Sequence, residues 1–325
     1  MRKLFLTGII HPLAVFAATG TPSFFGGRTS AGSGGWLPAL IALALLPLSA
    51  ALLPAQEPPA ADGVAYPLNV SVGADGAVTV VDLDLPGLWR LGENKAAPTL
   101  FYKGPIQMRQ AMNRPRCVLA LDDGSVLVGD SASRDIYRIA ADTQKLVGLT
   151  GGMVGIPMCL AIDPEGKSVY VGDAEKRALF RFPLAGGQPQ LVAAVNARGL
   201  SFDATGRLWA LTPDDAAIVT VDAENQVTPF VSGRPFQYPG GIVHIGDQAY
   251  VTDGYGKAIW KVSTEGQVSE WYRGEPLKHP VGIAVERPAG EDAAEPTAVL
   301  VADPHSRQIF RFSVTEKPTA EALLP

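Results

Sequence analysis

Residues 115–139, PRCVLALDDGSVLVGDSASRDIYRI, hold the pattern on which most of the chain is built. An apolar run leads to a Gly turn, a second apolar run closes on Asp130, and after a short polar turn a third run carries Arg138. Versions of this unit recur six times. Asp82, Asp130, Asp173, Asp253 and Asp303 each close a Val-rich run, and eight residues later stands Arg90, Arg138, Arg181, Lys261 or Arg311. The fourth copy keeps the frame but has Thr212 and Thr220 at these two places. The first run of each unit starts at Asn69, Cys117, Cys159, Gly199, Gly241 or Gly282, and Pro stands two residues before five of them.

The closing positions 82, 130, 173, 212, 253 and 303 lie 48, 43, 39, 41 and 50 residues apart. A period of about 40–50 with several short strands per unit is the sign of a propeller blade. The expected fold is all-β, a six-bladed β-propeller of four-stranded antiparallel blades over residues 65–325. A composition of 47% apolar residues with 35 Gly and 27 Pro suits a turn-rich β protein. Within the second unit, Val118–Leu121, Val126–Val128 and Ile136–Ile139 read as its first three strands. The fourth run of every unit is the weakest, as befits an outer edge. The repeated aspartates read as structural turn caps, since a carboxylate opening a tight turn accepts the backbone N–H groups that follow it.

Ahead of the repeats, residues 36–55, WLPALIALALLPLSAALLPA, are uncharged and end in small residues. Residues 1–55 are read as an export signal cleaved between Ala50 and Gln56, or as an N-terminal anchor if cleavage fails; 56–64 form a linker. This predicts a periplasmic or extracellular protein that touches a membrane only through an uncleaved leader. Net charge is −5 overall and −8 after residue 55, where 24 bases face 32 acids. No general electrostatic footprint for nucleic acid exists on such a chain.

The order Pro280-Val281-Gly282-Ile283-Ala284-Val285, then Val301-Ala302-Asp303, then Gln308-Ile309-Phe310-Arg311-Phe312 resembles the NHL repeat. The resemblance covers about four-fifths of the chain. It implies a channel with the first-strand starts and the Asp turns on one face, and residues 287–297 as a loop on the opposite face. Gluconolactonase and regucalcin propellers are similar in blade pattern, and that likeness implies one divalent cation held by Glu, Asn and Asp just before the Gly slots. Here those positions are Leu68, Arg116, Met158, Arg198, Gly240 and Val281, so the expected ligand set is missing. A likeness to amidating-enzyme lyases would imply His-bound zinc, for which His244, His279 and His305 are the candidates. Cys117 and Cys159 share a slot in adjacent blades; the sequence leaves open a disulfide or two buried thiols.

Loops leading into the first strands carry Lys103, Arg109, Arg114, Arg116, Arg198, Arg234, Arg273 and Lys278 against one acid, Glu275. Guanidinium groups at a channel mouth suit an oxyanion. The candidate ligand site comprises Arg116, Arg198, Met158, Tyr238, Asn196 and Lys278, with Phe236 in its wall. The expected function is a non-catalytic binding module for a protein partner or an anionic small molecule, with no cofactor and no metal. The alternative is a lactonase-like hydrolase or lyase that uses calcium or zinc.

Overall fold

The computed structural model describes residues 63–92, 96–287 and 295–325. The leader and most of the linker, and all but the ends of the 287–297 loop, lie outside the described residues. Six four-stranded antiparallel sheets follow one another along the chain, each made of four consecutive strands. No α-helix occurs among the described residues. This is a six-bladed β-propeller.

Burial grades from the axis outward. Second strands such as Val126–Asp130 and Ala298–Asp303 are buried at every residue, because a neighbouring blade covers each face of the sheet. Fourth strands such as Thr99–Lys103 and Gln190–Ala193 have mainly exposed or half-buried residues. The core is therefore a set of wedges between blades. One wedge packs Leu127 and Ile136 of the second blade on Val169, Val171 and Phe182 of the third. Another closes the ring by packing Val70, Val80 and Trp89 of the first blade on Leu300, Ala302 and Ile309 of the last.

The inner slot illustrates how the wedges fit. Cys117 and Cys159 pair with Gly129 and Gly172. A Cβ on either glycine would stand 2.6 Å from the facing sulfur. In the fourth blade the bulk is exchanged, with Gly199 opposite Leu211. Both cysteines are free and buried, which answers the disulfide question. Burial raises the Cys117 thiol to about 12 and raises Cys159 as well.

The repeated aspartates are buried completely. Asp173 accepts the amides of Glu175 and Lys176 at 3.0 and 3.1 Å, within the turn it opens. It also accepts those of Gly155 and Ile156 at 2.6 and 3.1 Å, from the segment leading into its blade. Asp82 does the same with Asp84, Leu85, Ala65 and Tyr66. Each carboxylate thus ties two loops of one blade together on the face where the first strands begin. Thr212 does less. Its hydroxyl accepts the Asp214 amide at 3.1 Å and donates to the Ala216 carbonyl at 2.8 Å.

First strands begin earlier than their apolar runs suggest. Pro115–Ala120 starts three residues before Val118 because Pro115 pairs with Asp130. A β-bulge between Pro115 and Cys117 then leaves Arg116 unpaired. The same irregularity falls at Leu68, at Met158 and at Gly240 with Gly241. A bulge re-aims the extra residue, and here the extra residues all face the axis.

Candidate functional site

A cavity of about 270 Å³ opens at the axis on the face of the Asp turns. Every blade contributes the residue ahead of its inner slot: Leu68, Arg116, Met158, Arg198, Gly240 and Val281. The bulges of the first, second, third and fifth blades put four of these there. Beyond this ring the wall is uneven. Turns after the second strand contribute Leu83 from the first blade, but Thr212, Pro213, Asp214 and Ala217 from the fourth. The lead-in to the fifth blade adds Arg234, Phe236, Gln237, Tyr238 and Pro239, and that to the sixth adds His279. The cavity thus leans toward the blade whose aspartate is missing.

Arg116 donates from Nε to Ser131 Oγ at 3.0 Å. Its burial pulls the guanidinium below the ordinary arginine range, and the charges of Arg114 and Arg198 act the same way. Arg198 has no side-chain hydrogen bond or ion pair among the described residues. Arg234 donates to the Pro213 carbonyl at 2.9 Å. The acid in the wall, Asp214, is held by Arg177 at 3.1 and 3.2 Å. The cavity therefore carries three guanidinium groups against one carboxylate that already has a partner.

Four of the six candidate ligand residues meet in this wall: Arg116, Arg198, Met158 and Tyr238. Asn196 and Lys278 do not line it. Asn196 is buried, and its Oδ1 has no partner. Lys278 is exposed and gives its backbone amide to Asp303 at 2.7 Å. Tyr66, Gln237 and the blade-four turn are wall residues that inspection of the bases alone passes over. For the blade-four turn, the departure of Thr212 from the repeated aspartate was the signal.

The channel's other end holds a second cavity, lined by first-strand residues of all six blades and by Arg287. His244 lies there, with its ring against the fourth blade. Its Nδ1 is 2.9 Å from Ser201 Oγ of the fourth blade, and its ring meets Trp209 edge-on at 4.6 Å. Burial lowers its pKa to about 4, and Nε2 has no partner. His279 instead stacks on His305 at 4.4 Å in the mouth. The three imidazoles do not converge, and no group of three or more His, Cys, Asp or Glu side chains that could hold a metal ion exists among the described residues. Two guanidinium groups, a thioether, two aliphatic side chains and a glycine do not fit a hard divalent cation at the mouth.

No protein-family model matches the chain, and comparison with curated proteins returns no relative. Solved structures share the propeller. A virginiamycin B lyase from Staphylococcus aureus superposes with a TM-score of 0.59 at 16% identity, over 80% of this chain and 85% of that one. A gluconolactonase from Xanthomonas campestris gives 0.60 at 14%, over 75% and 84%. A chain of a nidogen/laminin complex gives 0.59 at 19%, over 68% and 85%. At these identities the likeness is one of fold, and it is shared with lyases, lactonases and a protein-binding propeller alike.

Proposed function

We propose that this propeller is an exported, non-catalytic binding module that takes a small anionic group at the arginine-lined mouth. The observation that carries the reading is the pair Arg116 and Arg198, set on the axis with no carboxylate among the four residues that complete their ring. An anion entering there meets two half-buried donors, one of which, Arg116, is already burdened by desolvation and by the charge of Arg198. Binding it relieves both costs, and a guanidinium presents paired N–H groups to a carboxylate or sulfate. The same chemistry would receive an acidic side chain of a protein partner, and one fold neighbour comes from a protein complex.

The test is thermal unfolding in acetate and in sulfate at constant ionic strength. A ligand at about a hundred times its Kd adds about 2.7 kcal/mol. In a domain of this size that raises Tm by several degrees. Sulfate also stabilises folded proteins by exclusion from their surfaces. The readout is therefore the difference between the wild type and the Arg116→Ala/Arg198→Ala double variant, which is expected to lose the anion-specific rise. Equal shifts in both proteins would overturn the reading. Stoichiometric calcium or zinc in gently purified protein would favour the metal-dependent hydrolase or lyase instead.

A further inference from the structure

Beside the arginines lies a group of rings that the anion reading leaves unused. Tyr238 lines the cavity and is 41% exposed; Tyr255, on the turn after Asp253, is 64% exposed. Their centroids are 4.8 Å apart. His279 sits 5.2 Å from both tyrosines and stacks on His305 at 4.4 Å with an interplanar angle of 19°. The four rings come from two blades and form one continuous cluster at the cavity rim.

The cluster is held in place from beneath. Tyr238 gives its backbone amide to Asp253 at 2.8 Å, and His279 gives its own to Asp303 at 2.9 Å. A Cβ at Gly254 would stand 2.6 Å from His279 Cε1, so the missing side chain is what lets the imidazole lie against the turn. Repeat alignment sharpens the contrast. Two residues after the closing position stand Asp84, Ala132, Glu175, Asp214, Tyr255 and His305. Three blades have an acid there, whereas the fifth and sixth have rings, on the side of the mouth that Tyr238 and His279 occupy.

Resting on the anion reading, we propose that the ligand is a small aryl carboxylate, its acid group held by Arg116 and Arg198 and its ring laid on the Tyr238–Tyr255 shelf. Charge complementarity fixes one end of such a ligand, and the exposed faces of two tyrosines fix the other, since aromatic rings gain from offset or edge-on contact. A volume of about 270 Å³ lies just below the usual range of ligand pockets, which suits one ring with a short acidic arm. Tyr238 lines the same cavity as Arg116 and Arg198, so shelf and cations are neighbours.

Thermal-shift titration with acetate, benzoate and phenylacetate separates the two ideas. Phenylacetate is expected to bind about tenfold more tightly than acetate, a ratio in keeping with one good ring contact. Tyr238→Ala should abolish that advantage. Tyr255→Ala, on an exposed turn, should reduce it without risk to folding. If acetate binds and the ring adds nothing, or if the advantage survives both tyrosine variants, the shelf is wrong while the anion site stands. If none of the three anions binds, both readings fall together.

Discussion

The third and fourth blades are adjacent copies of one unit, and they differ most where the repeat breaks. In the third, Asp173 gathers four backbone amides from two loops at once. In the fourth, Thr212 accepts one amide, Pro213 and Asp214 reshape the turn, and that turn becomes a wall of the cavity. Where copies agree they make the frame; where one departs it makes room for a site. A carboxylate at position 212 would draw the lead-in loop and the turn together and fill the space that Thr212, Pro213 and Arg234 now border.

The sharpest way to break this contrast is Asp173→Ala. It leaves four amides without their acceptor, one in a buried bond and three in part-buried ones; at about 1 kcal/mol each, the low end for a group left unsatisfied, a loss of about 4 kcal/mol is expected in urea unfolding. A loss below about 1 kcal/mol would show that the repeated carboxylate does not hold the frame.

Next in size is an acid-sensitive seam between the fourth and fifth blades. His244 is held near 4 by burial against an ordinary value of 6.5, so between these values the unfolded chain binds more protons than the folded one. Stability is accordingly full above about pH 6.5 and falls as pH drops toward 4, by on the order of 3 kcal/mol from this residue. His279, lowered by burial and by His305, adds loss of the same sign. His244→Phe should flatten the pH profile between 4 and 6.5 but leave the share due to His279. An unchanged profile would remove His244 as the cause.

The smallest effect belongs to Thr212→Ala, which gives up the bonds to Asp214 and Ala216 and should cost about 1 kcal/mol. If it rivalled Asp173→Ala, the two turns would be equivalent after all and the fourth blade would not be a departure.

The blade count was readable because the aspartates recur at nearly even spacing, each for a local reason that a single repeat displays. The strand starts were less so, because a bulge after Pro115 or Pro157 changes pairing without changing the apolar pattern. Counting back from the inner slot was enough to bring Arg116, Met158 and Arg198 to one ring. Asn196 and Lys278 lie outside that wall, since burial of one side chain and exposure of the other depend on how each lead-in loop folds over its blade. The cluster that runs from Tyr255 through His279 to His305 was out of reach for a different reason. It joins turns of two blades, and nothing within either turn announces the other.

One property of the sheets reaches beyond the mouth. Every blade is built from its own four consecutive strands, with none borrowed from the far end of the chain. Gly63 and Val64 share a pocket with Leu324 and Pro325, so both edges of the ring's polypeptide lie side by side. A short peptide spliced across that gap, with a cut opened between any other two blades, would yield a circular permutant with the same six sheets in the same neighbourhood. Connectivity in this ring is thus a convenience of synthesis, and side-chain packing across the wedges is the latch.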